Sequence, residues 1–415
     1  MQRKMKNRKF ILKETLLILF LNIFWIVPSY SQTESGEWYK GDLHAHSIHS
    51  DGDSLVVDVI ANAESLGLDF FALTDHDTSM NGNPTHWLDP DYYSEEMVLL
   101  YGVEWTSSLG HANIWASAPF SYHELWIANR ENDAQGAIQI AHEQGALFSI
   151  NHPVALFTRS WEYPLYDDID TVEVWNSMYR FPHLNERAVH HFWDDLLKSG
   201  RRVPAIGGSD THHLADWQSA LFGHGNPTTW VYAAERTAEG ILAGIKAGQV
   251  TISYAPCAVS LDFTADADGD GSYETLVGDI VPHQPGQMIS FKVQIHSSLE
   301  SEGTMDGESF ALDITPIIDE ENSFKNLEQL LPLLLSQKGN NCNSIYGLSI
   351  YKNGRIFKVI LLSGRNAFTF EDIPEDSLPT YYRAELHGVT QEALLYPLLY
   401  GNKIALTNPI YINYY

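Results

Sequence analysis

The chain is poor in cysteine, poor in positive charge and free of long apolar runs beyond its first 31 residues. Two cysteines, Cys257 and Cys342, rule out a disulfide-built scaffold and a thiolate metal cage. In an oxidising compartment they are a candidate single disulfide, and neither is read as a nucleophile. With 25 Lys and Arg against 53 Asp and Glu the net charge is −28, which argues against nucleic acid as a partner, because affinity for phosphate backbones comes from basic residues. Acidity alone reads as solubility. The apolar stretch Leu330 to Leu335 is broken by Pro332, so no later segment spans a bilayer as a helix. GxGxxG, Walker and GxSxG signatures are absent, as are internal repeats and low-complexity tracts.

The opening residues read as a secretory leader, residues 1–31. Arg3, Lys4, Lys6, Arg8, Lys9 and Lys13 form a basic start, Leu16 to Val27 an apolar core, and Ser29-Tyr30-Ser31 the small residues of a cleavage position. A periplasmic or secreted location is therefore expected. No cysteine follows the cleavage position, which argues against a lipid anchor. Removing the six basic and one acidic residues of this leader leaves 19 Lys and Arg against 52 Asp and Glu.

Histidines and carboxylates then follow in a fixed order: His44 and His46 with Asp51, Thr74-Asp75-His76, Glu104, His111 with Asn113, Asn151-His152-Pro153, and Asp210 with His212. Strand side chains alternate faces, so His44 and His46 point to one side and suit a shared ion; Asp210 and His212 repeat the spacing. The runs Phe70–Leu73, Val98–Val103, Ala146–Ile150 and Val203–Ile206 are short, apolar and bounded by turn residues, as buried parallel strands are. Most of the polar motifs sit where such a run ends. Helical spacing separates several runs, as in Leu55, Val56, Val59, Ile60 and Ala63, or Ala137, Ile138, Ile140 and Ala141. Strand, ligand and helix in repetition predict a β/α barrel with its site at the strand C-termini. So many imidazoles and carboxylates around one mouth would carry large desolvation costs without a cation. Lone histidines elsewhere, such as His86, His190 and His224, are read as ordinary polar residues.

The ordered set HxH, SDG, TDH, GxE, HxN, NHP and SDTH resembles the PHP (polymerase and histidinol phosphatase) metallohydrolases, and within them the carbaryl-hydrolase-like (CehA/McbA-type) branch, over residues 38 to 255. The resemblance implies a distorted (β/α)7-type barrel over residues 32–255. It also implies one ion on His44, His46, Glu104 and Asp210, a second sharing Glu104 with His111 and His152, and a third on Asp51, His76 and His212. Glu104, Asp210 and His212 are the implied catalytic residues, acting around a metal-bridging hydroxide. Nitrogen and oxygen ligands without thiolate suit Mn, Fe or Zn. Asp75 and Glu173 are expected to steady ligands from behind. Arg159, Arg180 and Arg187 lie between ligand motifs, and Arg159 and Arg180 are the candidates for holding a phosphate. Trp161, Trp175, Tyr179 and Trp193 crowd the same stretch.

The expected function is an exported metal-dependent hydrolase of a small-molecule substrate, read first as a phosphoesterase. A carboxylic ester or carbamate hydrolase with the same site is the alternative, and a non-enzymatic metal- or ligand-binding surface protein the alternative of another class.

Beyond Tyr254 the pattern changes to strand-like runs with turn punctuation, including Ala258–Phe263, Ile289–Ile295, Ser344–Tyr351, Arg355–Leu361, Thr380–Leu386 and Ile404–Ile412. Asn353-Gly354 between two of them is a hairpin signal. An antiparallel β-sandwich over 256–415 is predicted, with a helical insertion at 323–337. Asp266, Asp268, Asp270 and Glu274 begin like a calcium loop, although position twelve is Val277, so one structural calcium is a further expectation.

Overall fold

The strands of the first half form largely from short apolar runs. In the computed structural model these are Glu37–Asp42 (β1), Phe70–Leu73 (β2), Val98–Ser107 (β3), Gly110–Ala116 (β4), Leu147–Ile150 (β5), Thr171–Asn176 (β6), Ala205–Gly208 (β7), Thr228–Ala233 (β8) and Val250–Ser253 (β9). Between them run the helices Val56–Ser65 (α1), His123–Glu131 (α2), Ala134–Glu143 (α3), His183–Lys198 (α4) and Ala238–Ala247 (α5). The structure describes residues 36–155, 159–177, 183–214, 223–296, 310–313, 315, 345–375, 378–388 and 403–414. The leader, the 323–337 insertion, Tyr179, Arg180 and Cys342 lie outside them.

Every residue of β2, β5, β6 and β7 is buried, as strands covered on both faces require. α5 shows how local chemistry sets an element's ends: the Thr237 side chain caps it by accepting from the Gly240 N–H, and Gly248 closes it at φ 76°.

The second half supplies Ser260–Asp266 (β10), Thr275–Leu276 (β11), Ile280–Val281 (β12), Ile289–His296 (β13), Phe310–Asp313 (β14), Ile345–Lys352 (β15), Arg355–Ser363 (β16), Ala367–Asp372 (β17), Thr380–Gly388 (β18), Lys403–Thr407 (β19) and Ile410–Ile412 (β20). β13 alternates buried residues with half-buried or exposed ones, the period-two pattern of a one-sided strand. Asn353 and Gly354, at φ 53° and 73°, make the tight turn between β15 and β16.

One large mixed sheet runs in the order β7-β6-β5-β4-β3-β2-β1-β8-β9-β19-β18-β15-β16-β14, and a second, antiparallel sheet in the order β11-β10-β13-β17. β1, β2 and β3 are mutually parallel, as are β5, β6 and β7. Two details depart from the simple strand–helix alternation predicted. β3 runs on through Glu104 to Ser107 and turns directly into β4, which lies antiparallel between β3 and β5. The turn Ser107–Gly110 is too short to hold a helix, so the carboxylate sits inside a strand rather than at its end. In addition, β19 pairs with β9, so strands on either side of residue 255 share one sheet.

Two main cores result. Trp105, Trp115, Phe148 and Trp193 anchor the first, between the β1–β9 part of the sheet and the helices. Phe263, Phe291 and Phe370 stack in the second, facing Leu348, Ile360 and Tyr382 of the large sheet. Each fully buried ring of this size contributes about 1.5–3 kcal/mol by leaving water.

Candidate metal centre

The segments that follow β1 and β7 meet edge to edge: the His46 N–H donates to Thr211 O at 2.9 Å and the Asp210 N–H to His44 O at 2.8 Å. Buried Asp42 ties the same segments together by accepting from the N–H groups of Ser209 and Gly225 at 2.9 and 2.8 Å. A Cβ at position 208 would run into Glu173 Oε1 and His44 Cβ, so only glycine admits this approach.

Glu104 is the hub, fully buried. Its Oε1 lies 3.5 Å from His44 Nε2, 3.1 Å from His111 Nδ1 and 3.3 Å from His152 Nε2, and accepts from Asn151 Nδ2 at 2.9 Å. Its Oε2 lies 3.5 Å from His46 Nε2 and 2.7 Å from His76 Nδ1. Asp210 Oδ1 stands 3.3 Å from His44 Nε2 and 3.1 Å from His46 Nε2. On the open side Asp51 Oδ1 is 3.2 Å from His212 Nε2 and 3.6 Å from His76 Nε2. All nine implied ligands therefore gather in one cluster. The three-way division is less clean than the resemblance implies, because His76 faces both Asp51 and Glu104.

Exposure runs from a closed floor to an open rim. The side chains of His44, His46 and Glu104 are 0% exposed, whereas those of His212 and Asp51 reach 22% and 56%. Asp51 and His212 are the side chains of the cluster most open to solvent.

Tutelage of the ligands follows from acceptor chemistry. A carboxylate only accepts, so in the neutral imidazole that ligation requires His44 Nδ1 carries the proton, given to Glu173 Oε1 at 2.9 Å, and Nε2 is the lone pair facing the cluster. His212 Nδ1 likewise donates to the Asp210 carbonyl at 2.8 Å, leaving Nε2 free to ligate. Asp75 does not touch a ligand imidazole in this way. It accepts from Ser47 N–H at 2.7 Å and from Ser50 Oγ at 2.5 Å, and Ser50 Oγ lies 3.3 Å from His46 Nδ1, so its reach to His46 is indirect. Asp210 departs from the strand geometry expected of the Asp210/His212 pair: it sits at φ 54°, and His152 at φ 28°. Both residues thus hold backbone that non-glycine residues rarely adopt.

The donor set fits cations. His44 Nε2 and Glu104 Oε2 are buried without a hydrogen bond; His76 Nδ1, although close to that oxygen, has Thr106 Oγ1 at 2.6 Å as its hydrogen-bond partner. Buried polar atoms are rarely left so, and ions between them would satisfy both. With the side chains alone, burial works against a charged His76 and His212, yet Glu104 beside the first and Asp51 and Asp210 beside the second push both up to about 9. Burial, with His212 and His76 nearby, pulls His46 down to about 4. Raised values stabilise the ion-free fold fully below pH 6.5, and that stability is lost as pH rises toward 9. Ion binding needs the same imidazoles neutral and tightens over the same window. The increase in melting temperature on adding Mn²⁺ should accordingly grow from pH 6 to pH 8.5; a constant increment would contradict this.

Asp77 escaped the sequence reading. Its buried carboxyl, held by Thr106 N–H, Tyr122 OH and Asn129 Nδ2, is pushed up to about 7 by burial. The signal was there, since Asp77 directly follows the TDH motif. Of the expected phosphate-holding arginines, Arg159 is exposed. Trp161, Trp175 and Trp193 pack in the first core. In the acidic loop Asp266, Asp270 and Glu274 present oxygens within 4.8 Å of one another, while Asp268 is not in that group and accepts from the Asp270 N–H. Cys257 is exposed.

No family model and no curated protein matches the chain. Among solved structures it is similar to a two-domain protein containing a predicted PHP-like metal-dependent phosphoesterase from Bacteroides vulgatus, with TM-score 0.40 and 15% identity over 91% of this chain and 96% of that one. A putative metal-dependent phosphoesterase from Bifidobacterium adolescentis gives TM-score 0.28 and 17% identity over 42% and 88%. An amidohydrolase from Chromobacterium violaceum gives 0.29 and 14% over 44% and 89%. At these values the chemistry must be read from the site's own residues.

Proposed function

We propose that this chain is a metal-dependent hydrolase of phosphate esters. The observation that carries the reading is the convergence of five imidazoles on the two oxygens of one buried carboxylate, Glu104, with Asp210, Asp51 and His212 completing the cluster. His44, His46, Glu104 and Asp210 would hold one ion, Glu104, His111 and His152 a second, and Asp51, His76 and His212 a third. Divalent ions so placed supply an acidified nucleophilic water and polarise the ester under attack. Glu173 fixes the His44 tautomer, the Asp210 carbonyl fixes that of His212, and the closed floor limits approach to the rim. His212 and Asp51 are the most exposed of the group.

A phosphoryl transition state spreads charge over several oxygens and rewards several cations, whereas a tetrahedral carbonyl intermediate develops one oxyanion. p-Nitrophenyl phosphate or its diester should be cleaved at least ~10-fold more efficiently in kcat/KM than p-nitrophenyl acetate or 1-naphthyl methylcarbamate, about 1.4 kcal/mol of differential transition-state binding. One observation favours the carbonyl substrates as a second reading: among the described residues no Lys or Arg pairs with Glu104, Asp210 or Asp51. A better rate on the carbamate, with His76 and His212 variants leaving it unchanged, would make that reading the right one.

A further inference from the structure

The β6 strand does not keep its alternation. Its pairing with β7 shifts register between Glu173 and Trp175. A bulge of this kind re-aims side chains. Here it lets Glu173 and Asn176, three residues apart, both reach the ligand cluster, while Trp175 packs in the apolar core. The buried Asn176 amide nitrogen donates to Glu173 Oε2 at 3.1 Å and to Asp210 Oδ2 at 3.2 Å.

Both carboxylates are already committed on their other oxygens. Glu173 Oε1 holds His44 Nδ1 at 2.9 Å, and Asp210 Oδ1 faces His44 and His46. Glu173 Oε2 also accepts the His152 N–H at 2.8 Å. Two buried like charges drawn toward one point repel unless a donor lies between them. Asn, uncharged and with two N–H groups, supplies that donor without adding charge.

We propose that Asn176 is a positioning residue: its amide clamps Glu173 and Asp210 together, fixes which Asp210 oxygen faces His44 and His46, and so sets the affinity of the ion on that side of Glu104. The inference rests on the metal-dependent reading of the cluster. Hydrogen-bond partners behind metal ligands change affinity by about 10–100-fold when removed.

The test is calorimetric titration of the full chain, stripped of metal by chelation, with Mn²⁺. Asn176→Leu keeps the volume and removes the donor; Asn176→Ala serves if the leucine variant does not fold. One class of ion should weaken about 10–100-fold, with the class held by Asp51, His76 and His212 unchanged, and anomalous scattering from Mn should place the weakened ion beside His44, His46 and Asp210. General loosening would weaken every class alike, and that result overturns the proposal, as does wild-type affinity throughout. If the wild-type chain itself takes up no ion, the metal-dependent reading fails along with this inference. If it does and the variants match it, this inference alone fails.

Discussion

Replacing Glu104 by Gln is expected to lower kcat/KM by at least ~10³-fold, about 4 kcal/mol of lost transition-state stabilisation. Glutamine keeps the shape, so the loss comes from charge and from lone pairs. The glutamate oxygens lie within 3.5 Å of His44, His46, His76, His111 and His152, and glutamine offers one acceptor oxygen where two are used. Its amide hydrogens would face imidazole nitrogens that must be lone pairs to ligate. Metal content should fall by at least one ion per chain while the variant still melts cooperatively. Activity near wild type at full metal occupancy would show that neither ion site depends on Glu104.

A second large effect is expected outside the cluster. Arg383 on β18 is buried, pairs with Asp194 of α4 at 3.1 Å and with Glu385, and lies over the rings of Tyr351 and Trp193. Around Glu385 gather His190 Nδ1 at 3.1 Å and Lys403 Nζ at 3.4 Å, and Lys403 lies 2.9 Å from His190 Nε2. Two cations and two anions balance, with His190 held neutral by burial and by the Lys403 charge, which lower its affinity for a proton. Removing one member strands a buried charge. Arg383→Met should cost about 3–5 kcal/mol of stability, read as a lower urea midpoint. A cost below ~1 kcal/mol would place the pair among surface-type ion pairs.

Residue type and spacing made the ligand motifs legible before any fold was known. His44/His46 and Asp210/His212 announce themselves because few other uses gather such groups at strand ends. The β15–β16 hairpin was legible for an equally local reason, the left-handed preference of Asn353-Gly354. What escaped depends on long-range geometry. Asn176 reaches the cluster only through the bulge beside Trp175, and a bulge leaves no mark in residue spacing. The positive φ of Asp210 occurs where this segment pairs with the one after β1 through a parallel bridge between Ala45 and Thr211. The β9–β19 pairing joins residues about 150 positions apart, and no local pattern encodes it. Arg383, Glu385 and His387 alternate along β18 like a solvated strand face, yet Arg383 and Glu385 are buried because α4 covers them.

The central claim is that the imidazole–carboxylate cluster around Glu104 is a multinuclear metal site. Elemental analysis of the full chain, purified without chelator and again after reconstitution with Mn²⁺, Fe²⁺ or Zn²⁺, tests it most directly. Two or three transition-metal ions per chain are predicted, falling on substitution of Glu104. A chain that carries none as purified and takes up none on reconstitution would contradict it.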